Sequence, residues 1–181
     1  MFDINETKHL LDFLNSNKLQ LQAIINTHAH IDHILGIQSL VDTYHIPFSL
    51  HKADTPVLNN ALAAAAMFGL TLKQIPKVDS YIDEHKPLML GNDRLEVRFT
   101  PGHSPGSVSF YYPEGRWVIG GDVLFNGSIG RTDLPGGDFF TLINSIRSQF
   151  FTLPDDTTVF SGHGPATTIG AEKKYNPFLQ P

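Results

Sequence analysis

Three histidines and an aspartate crowd six consecutive residues of this chain, in the run Thr27-His28-Ala29-His30-Ile31-Asp32-His33. Neutral imidazole is a borderline ligand that suits Zn, Fe, Ni or Cu. A carboxylate set among imidazoles either joins the ligands or takes a proton. Core packing does not explain such a density of imidazoles, and a solvated loop has no use for them. The run follows an apolar segment, LQAIIN, and precedes a helical pattern. A strand-to-helix loop of this kind lets His28, His30, Asp32 and His33 point into one volume at a sheet edge.

Three further segments share this character. Thr100-Pro101-Gly102-His103-Ser104-Pro105-Gly106-Ser107 sets a histidine in a Gly/Pro turn after a strand. Gly120-Gly121-Asp122 sets a carboxylate at a strand end, and Ser161-Gly162-His163-Gly164-Pro165 does the same for another histidine. Each is flanked by glycines that let backbone approach closely, and ligand sites of α/β sheets lie at strand ends. Singly, each has a bland explanation, a solvated turn or a helix N-cap. Recurrence after four separate strands favours a common site. His9, His45, His51 and His85 lie outside these segments and are expected to be solvated or capping residues. Trp117 is expected in the core, and Lys173 and Lys174 on a solvated helix face.

The elements that must position these residues alternate. Helices are expected over 5–17, 33–44, 54–68 and 138–151. The first has Leu10, Leu11 and Leu14 on one face, and the second repeats Ile34, Ile37, Leu40 and Val41 at helical spacing. The third contains an alanine run and should stop at Gly69. Strands are expected at 21–26, 46–50 and 157–160. An antiparallel run is expected over 88–90, 95–100, 107–112 and 116–120, separated by Gly, Pro, Asn and Asp turns. The class is mixed α/β with an antiparallel central segment.

Length and composition fit one domain spanning 1–181. The chain has 181 residues, 41% of them hydrophobic and 17% charged, which excludes disorder. Its net charge of −5, without a Lys/Arg run, argues against nucleic acid as a partner. With no cysteine there is no disulfide, thiolate site or Cys nucleophile. No apolar stretch is long enough for a membrane span. The first residues, MFDINETKHLLDFL, lack a basic segment followed by an apolar core, so no secretory signal is expected and the expected location is the cytoplasm.

The order HxHxDH, His, Asp, His resembles the metallo-β-lactamase-fold hydrolases over nearly the whole chain from Leu21. More narrowly, THAHIDH, TPGHSPGS, GSIGRTDLPGGD and SGHGPATTIGAEKKYNPF resemble the short hydroxyacylglutathione hydrolases, the glyoxalase II-like group. The resemblance implies an αββα sandwich and two divalent metal ions. Zinc is expected, and iron or manganese suits the same ligands. It assigns His28, His30 and His103 to one metal, Asp32, His33 and His163 to the other, and Asp122 as the bridge. It implies a metal-held hydroxide that attacks a thioester, with Asp32 also orienting that hydroxide. Arg131 lies in the loop beyond Asp122. There a guanidinium either binds a substrate carboxylate, as basic residues do in similar proteins, or pairs with Asp133 to shape the loop.

Two departures from the family stand out. The C-terminal helical domain of full glyoxalase II, which holds much of the glutathione, is expected to be absent. At the front, Met1-Phe2-Asp3 enters almost at the first helix, where family members have strands ending in an Asp-x-Gly turn. An N-terminally incomplete sandwich is therefore expected, as in a fragment of a longer protein. It would have a bare sheet edge open to pairing and apolar surface left in water at roughly 25 cal/mol per Å². A homodimer covering that edge is the expected partner, beside the small-molecule substrate. The competing activity is a mononuclear iron persulfide dioxygenase, which shares HxHxDH and GRTD. Its last histidine usually stands in a different context, so His163 favours the hydrolase. A lactam hydrolase would call for a signal peptide, and an RNA-processing nuclease for a basic exosite. If the fold is incomplete, a non-catalytic metal-binding protein is the remaining alternative.

Overall fold

A computed structural model describes residues 4–180, with side chains from Lys8 onward. Met1-Phe2-Asp3, and with them the expected entry of the chain, lie outside the described residues. The chain forms two compact units, the first ending at Ile82 and the second beginning at Asp83.

In the first unit, α1 (Ile4–Ser16) buries Leu14 and partly buries Leu10 and Leu11, as the periodicity requires. A three-stranded parallel sheet follows the order β1-β2-β3, from β1 (Ile24–Ile25), β2 (Phe48–His51) and β3 (Ser80–Ile82). β1 is shorter than the expected 21–26 strand because only Ile24 and Ile25 pair with β2, opposite Phe48 and Ser49. The expected helix 33–44 is two helices, α2 (Ile31–Ile34) and α3 (Ile37–Tyr44). Gly36, whose conformational freedom costs helix stability, stands at the break. Because α2 begins at Ile31, Asp32 and His33 lie in a helical turn rather than a loop. The alanine-rich segment is likewise divided, into α4 (Thr55–Asn59) and α5 (Ala61–Met67), and Gly69 at φ +66° ends it as expected. Phe48, Leu50, Ile34, Ala61 and Ala65 form the core of this unit.

The second unit is built on the expected antiparallel run: β4 (Leu88–Leu90), β5 (Asp93–Phe99), β6 (Val108–Tyr112) and β7 (Trp117–Gly121). A short hairpin, β8 (Leu124–Phe125) and β9 (Ser128–Ile129), comes next. α6 (Phe139–Ser145) then runs into a π-helical turn over Ile146–Phe150. β10 (Thr158–Ser161) returns to pair in parallel with β7, and β11 (Thr167–Thr168) pairs antiparallel to β10. α7 (Ile169–Tyr175) follows. The sheet order is β11-β10-β7-β6-β5-β4. The expected strands and the 138–151 helix are thus present, while the hairpin and β11 are additions too short to leave a periodic signal.

One face of this sheet presents Tyr111, Val118 and Val159 to Leu142, Ile146 and Phe150, the apolar core of the unit. The opposite face is only partly covered. Ile119 and its neighbour Phe160 are 42% and 48% exposed. Trp117 is half-buried, its ring 5.2 Å from that of Tyr112 and 6.5 Å from that of Phe160. No helix among the described residues is long and apolar enough to cross a membrane.

Leu142 is fully buried, whereas Phe140 on the same helix is 80% exposed. Leu142→Ala is expected to cost about 2–5 kcal/mol in urea unfolding. Phe140→Ala should stay within about 0.5 kcal/mol of the parent.

Candidate metal centre

In the first unit the histidine run is folded by side chains that are not themselves candidate ligands. The Asn26 amide donates to the carbonyls of His28 (3.2 Å) and His33 (3.0 Å), which pulls both ends of the run together. Between them, the Ala29 N–H donates to the fully buried carboxylate of Asp54 at 2.5 Å. His28 is fully buried, and its Nδ1 lies 3.1 Å from Thr27 Oγ1. The His28 ring stands edge-on to His30 at 4.9 Å and tilted to His33 at 4.1 Å between centroids. Candidate ligand atoms of His28 and His30, of His28 and His33, and of Asp32 and His33 lie within 4.8 Å of each other.

In the second unit, three strand ends deliver His103, Asp122 and His163. His103 follows β5 in a turn that requires glycine at position 102. Gly102 has φ +126°, and a Cβ there would meet the Leu142 backbone nitrogen at 2.2 Å. Asp122 follows β7 directly, and His163 follows β10. The two loops are tied together by the Gly162 N–H, which donates to the Gly121 carbonyl at 2.9 Å. Asp122 Oδ2 lies 3.6 Å from His103 Nε2 and 3.3 Å from His163 Nε2.

His103 Nδ1 lies 2.8 Å from the Arg131 carbonyl, which can only accept. With Nδ1 committed to that carbonyl, Nε2 is the nitrogen turned toward the Asp122 carboxylate. Positive charge between the two, from a proton or a metal ion, makes this approach favourable. Two ligands on one tetrahedral ion, at about 2.0–2.1 Å from it, sit about 3.3 Å apart, close to the spacings around Asp122. Two imidazoles around one carboxylate, one of them oriented by a carbonyl at its other nitrogen, form a donor set that fits divalent transition metals.

The family model for the Metallo-beta-lactamase superfamily matches residues 4–163. The chain belongs to that superfamily. It is 42% identical to the "Probable metallo-hydrolase YqgX" of Bacillus subtilis strain 168, an alignment covering 99% of this chain and 86% of the relative. It is 35% identical to the hydroxyacylglutathione hydrolase GloC of Haemophilus influenzae, covering 96% and 83%. Among solved structures, the BLEG-1 B3 metallo-beta-lactamase superposes with a TM-score of 0.90 at 42% identity, covering 97% of this chain and 85% of the other. TTHA1623 in a di-iron-bound form superposes with a TM-score of 0.87 at 41% identity, covering 95% and 84%. The expected metallo-beta-lactamase fold is thereby established, and with it a metallo-hydrolase.

Within this superfamily member, the guanidinium of Arg131 is exposed and held in a two-pronged contact by Asp133, at 2.6 and 2.8 Å. The pair raises the Arg131 pKa and holds the Asp133 carboxyl down at about 2. Of the histidines set aside, His9, His45 and His85 are exposed. His51 is instead buried at the end of β2, where its Nδ1 accepts the Ala53 N–H at 3.4 Å; it caps a turn and is not solvated. Spacing gave no reason to single out Asn26 or Asp54. An Asn directly before the histidine run is the one local sign that such a clamp exists.

Gly130 packs against this centre, and a Cβ there would lie 1.9 Å from the Asp122 carbonyl oxygen and 3.2 Å from His103 Cβ. Gly130→Ala must displace the Asp122 backbone. The variant is expected to lose at least about tenfold in metal affinity, measured by competitive chelator titration.

Proposed function

We propose that the protein is a dinuclear metal-dependent thioester hydrolase of the glyoxalase II-like kind, acting on a hydroxyacylglutathione-type substrate. In this reading His28, His30 and His103 hold one cation, Asp32, His33 and His163 a second, and Asp122 is shared. The observation that carries it is the single Asp122 oxygen facing His103 Nε2 and His163 Nε2 at metal-ligand spacing. The thioester substrate is supported by the Haemophilus influenzae relative, and a cation pair by the di-iron form of TTHA1623. Zinc is the metal this reading favours, and iron or manganese suits the same ligands.

A bound cation pair supplies an acidified water and stabilises negative charge on the attacked carbonyl oxygen. Asp32 accepts a hydrogen bond from the attacking water and aims its oxygen at the thioester carbon; the water oxygen bonds to that carbon and its released proton goes to the departing sulfur. The C–S bond then breaks, giving a carboxylic acid and a thiol. Arg131 meets an anionic group of the thiol portion, which displaces Asp133 from the guanidinium.

The test is metal analysis combined with hydrolysis of a hydroxyacylglutathione. Two cations per chain with turnover support the reading. One iron with oxygen uptake on a persulfide would support the dioxygenase. Turnover of a β-lactam alone would support the lactamase, for which the likeness to BLEG-1 is the observation in favour.

Asp122→Ala should abolish hydrolysis and weaken both cations, and Asp32→Ala should weaken the second more than the first. Parent-like activity of Asp122→Ala at matched metal content would end the mechanism. Arg131→Ala should raise KM for an anionic thioester more than it lowers kcat, because uniform binding is what the side chain supplies. An unchanged KM would leave Arg131 only its loop-shaping contact with Asp133.

A further inference from the structure

Glu172 lies on α7, outside every proposed ligand set, yet it is 3% exposed and accepts from three donors. Its Oε2 takes the Gly127 N–H at 3.1 Å and the Asn176 side-chain amide at 2.7 Å. Its Oε1 takes the Thr167 hydroxyl at 2.5 Å. Asn176, fully buried, also donates to the Ser128 carbonyl at 2.9 Å.

These partners are not scattered. Gly127 and Ser128 belong to the hairpin that begins just after Asp122 and leads into Gly130 and Arg131, whose carbonyl fixes His103. Thr167 opens β11, directly after the loop that carries His163. One buried carboxylate thus grips the segment leaving Asp122 and the segment leaving His163. The Asn126 amide adds a link between them at the Ala166 carbonyl, 3.5 Å away. A buried carboxylate is costly unless its acceptor sites are filled. Satisfying it holds the two segments at one separation.

We infer that Glu172 is a positioning residue that presets the Asp122–His163 spacing and thereby the affinity of the second cation; this rests on the dinuclear reading above. Gln at this position can keep its oxygen toward Gly127 and Asn176 and turn its amide to the Thr167 hydroxyl, which can accept as well as donate. Position, rather than charge, is what the residue supplies.

Cobalt(II) titration, followed by visible absorption, reads the two cations separately in the parent, Glu172→Ala, Glu172→Gln and Thr167→Val proteins. Glu172→Ala is expected to bind the second cation about 10–100-fold more weakly, and the first, which shares Asp122 but does not use His163, should weaken less. Glu172→Gln should stay near the parent, and Thr167→Val should fall between. Equal weakening of both cations, or of neither, would overturn the inference. If Glu172→Ala does not fold, the Thr167→Val result decides by the same criterion. Uptake of fewer than two cations by the parent would count against the dinuclear reading. Amide exchange at Gly127 and Gly162 then decides the positioning role. Faster exchange in Thr167→Val at matched global stability supports it, and unchanged exchange refutes it.

Discussion

The convergence of two imidazole nitrogens on one carboxylate oxygen, His103 Nε2 and His163 Nε2 on Asp122 Oδ2, is the constraint around which the second unit is arranged. The Arg131 carbonyl accepts from His103 Nδ1 and leaves Nε2 to face Asp122. Asp122 cannot retreat, because its backbone is packed against Gly130 and its neighbour Gly121 is bonded to Gly162. An arrangement that is unfavourable without positive charge becomes favourable with it. The scaffold therefore holds its donors in place before any ion arrives, so that ordering them costs little on binding.

Both units use one device to hold a ligand-bearing segment. In each, a buried carboxylate accepts a backbone N–H next to, or a few residues from, candidate ligands: Asp54 from Ala29, and Glu172 from Gly127. Charge-assisted bonds of this type are shorter and stronger than neutral ones. In low-dielectric surroundings, leaving such a carboxylate without its donors is prohibitive. The backbone between His28 and His30 is thus fixed more firmly than a solvated loop would be.

Much of the candidate site was legible because metal ligation demands residue types that packing and solvation rarely call for together. His28, His30, Asp32 and His33 declare themselves by density, and His103, Asp122 and His163 by their glycine-flanked strand ends. The antiparallel strands from Leu88 to Gly121 were legible from alternation and turn residues. The helix breaks at Gly36 and Asn60 were not, because periodicity runs through both. β3, β8, β9 and β11 pair over two or three residues, too few to leave a pattern. Asp54, Asn26 and Glu172 escaped because their work is to accept or donate to backbone at a distance in sequence. Nothing in the local residue type marks that. Arg131 was legible as a place but not as a contact, since both of its proposed partners are carboxylates.

The parallel pairing of β10 with β7 has a consequence for how the protein comes to exist. Antiparallel β5, β6 and β7 meet through short turns, whereas β10 reaches β7 only after the hairpin, α6 and its π-helical turn have intervened. Closing that long connection carries the larger entropic barrier, and pairings of high sequence separation are slow. His163 follows β10, so it joins Asp122 only when that late step is complete. On a ribosome, a nascent chain would expose His103 and Asp122 to cellular metals before their partner histidine has been made. The interval between is a window for capturing the wrong ion.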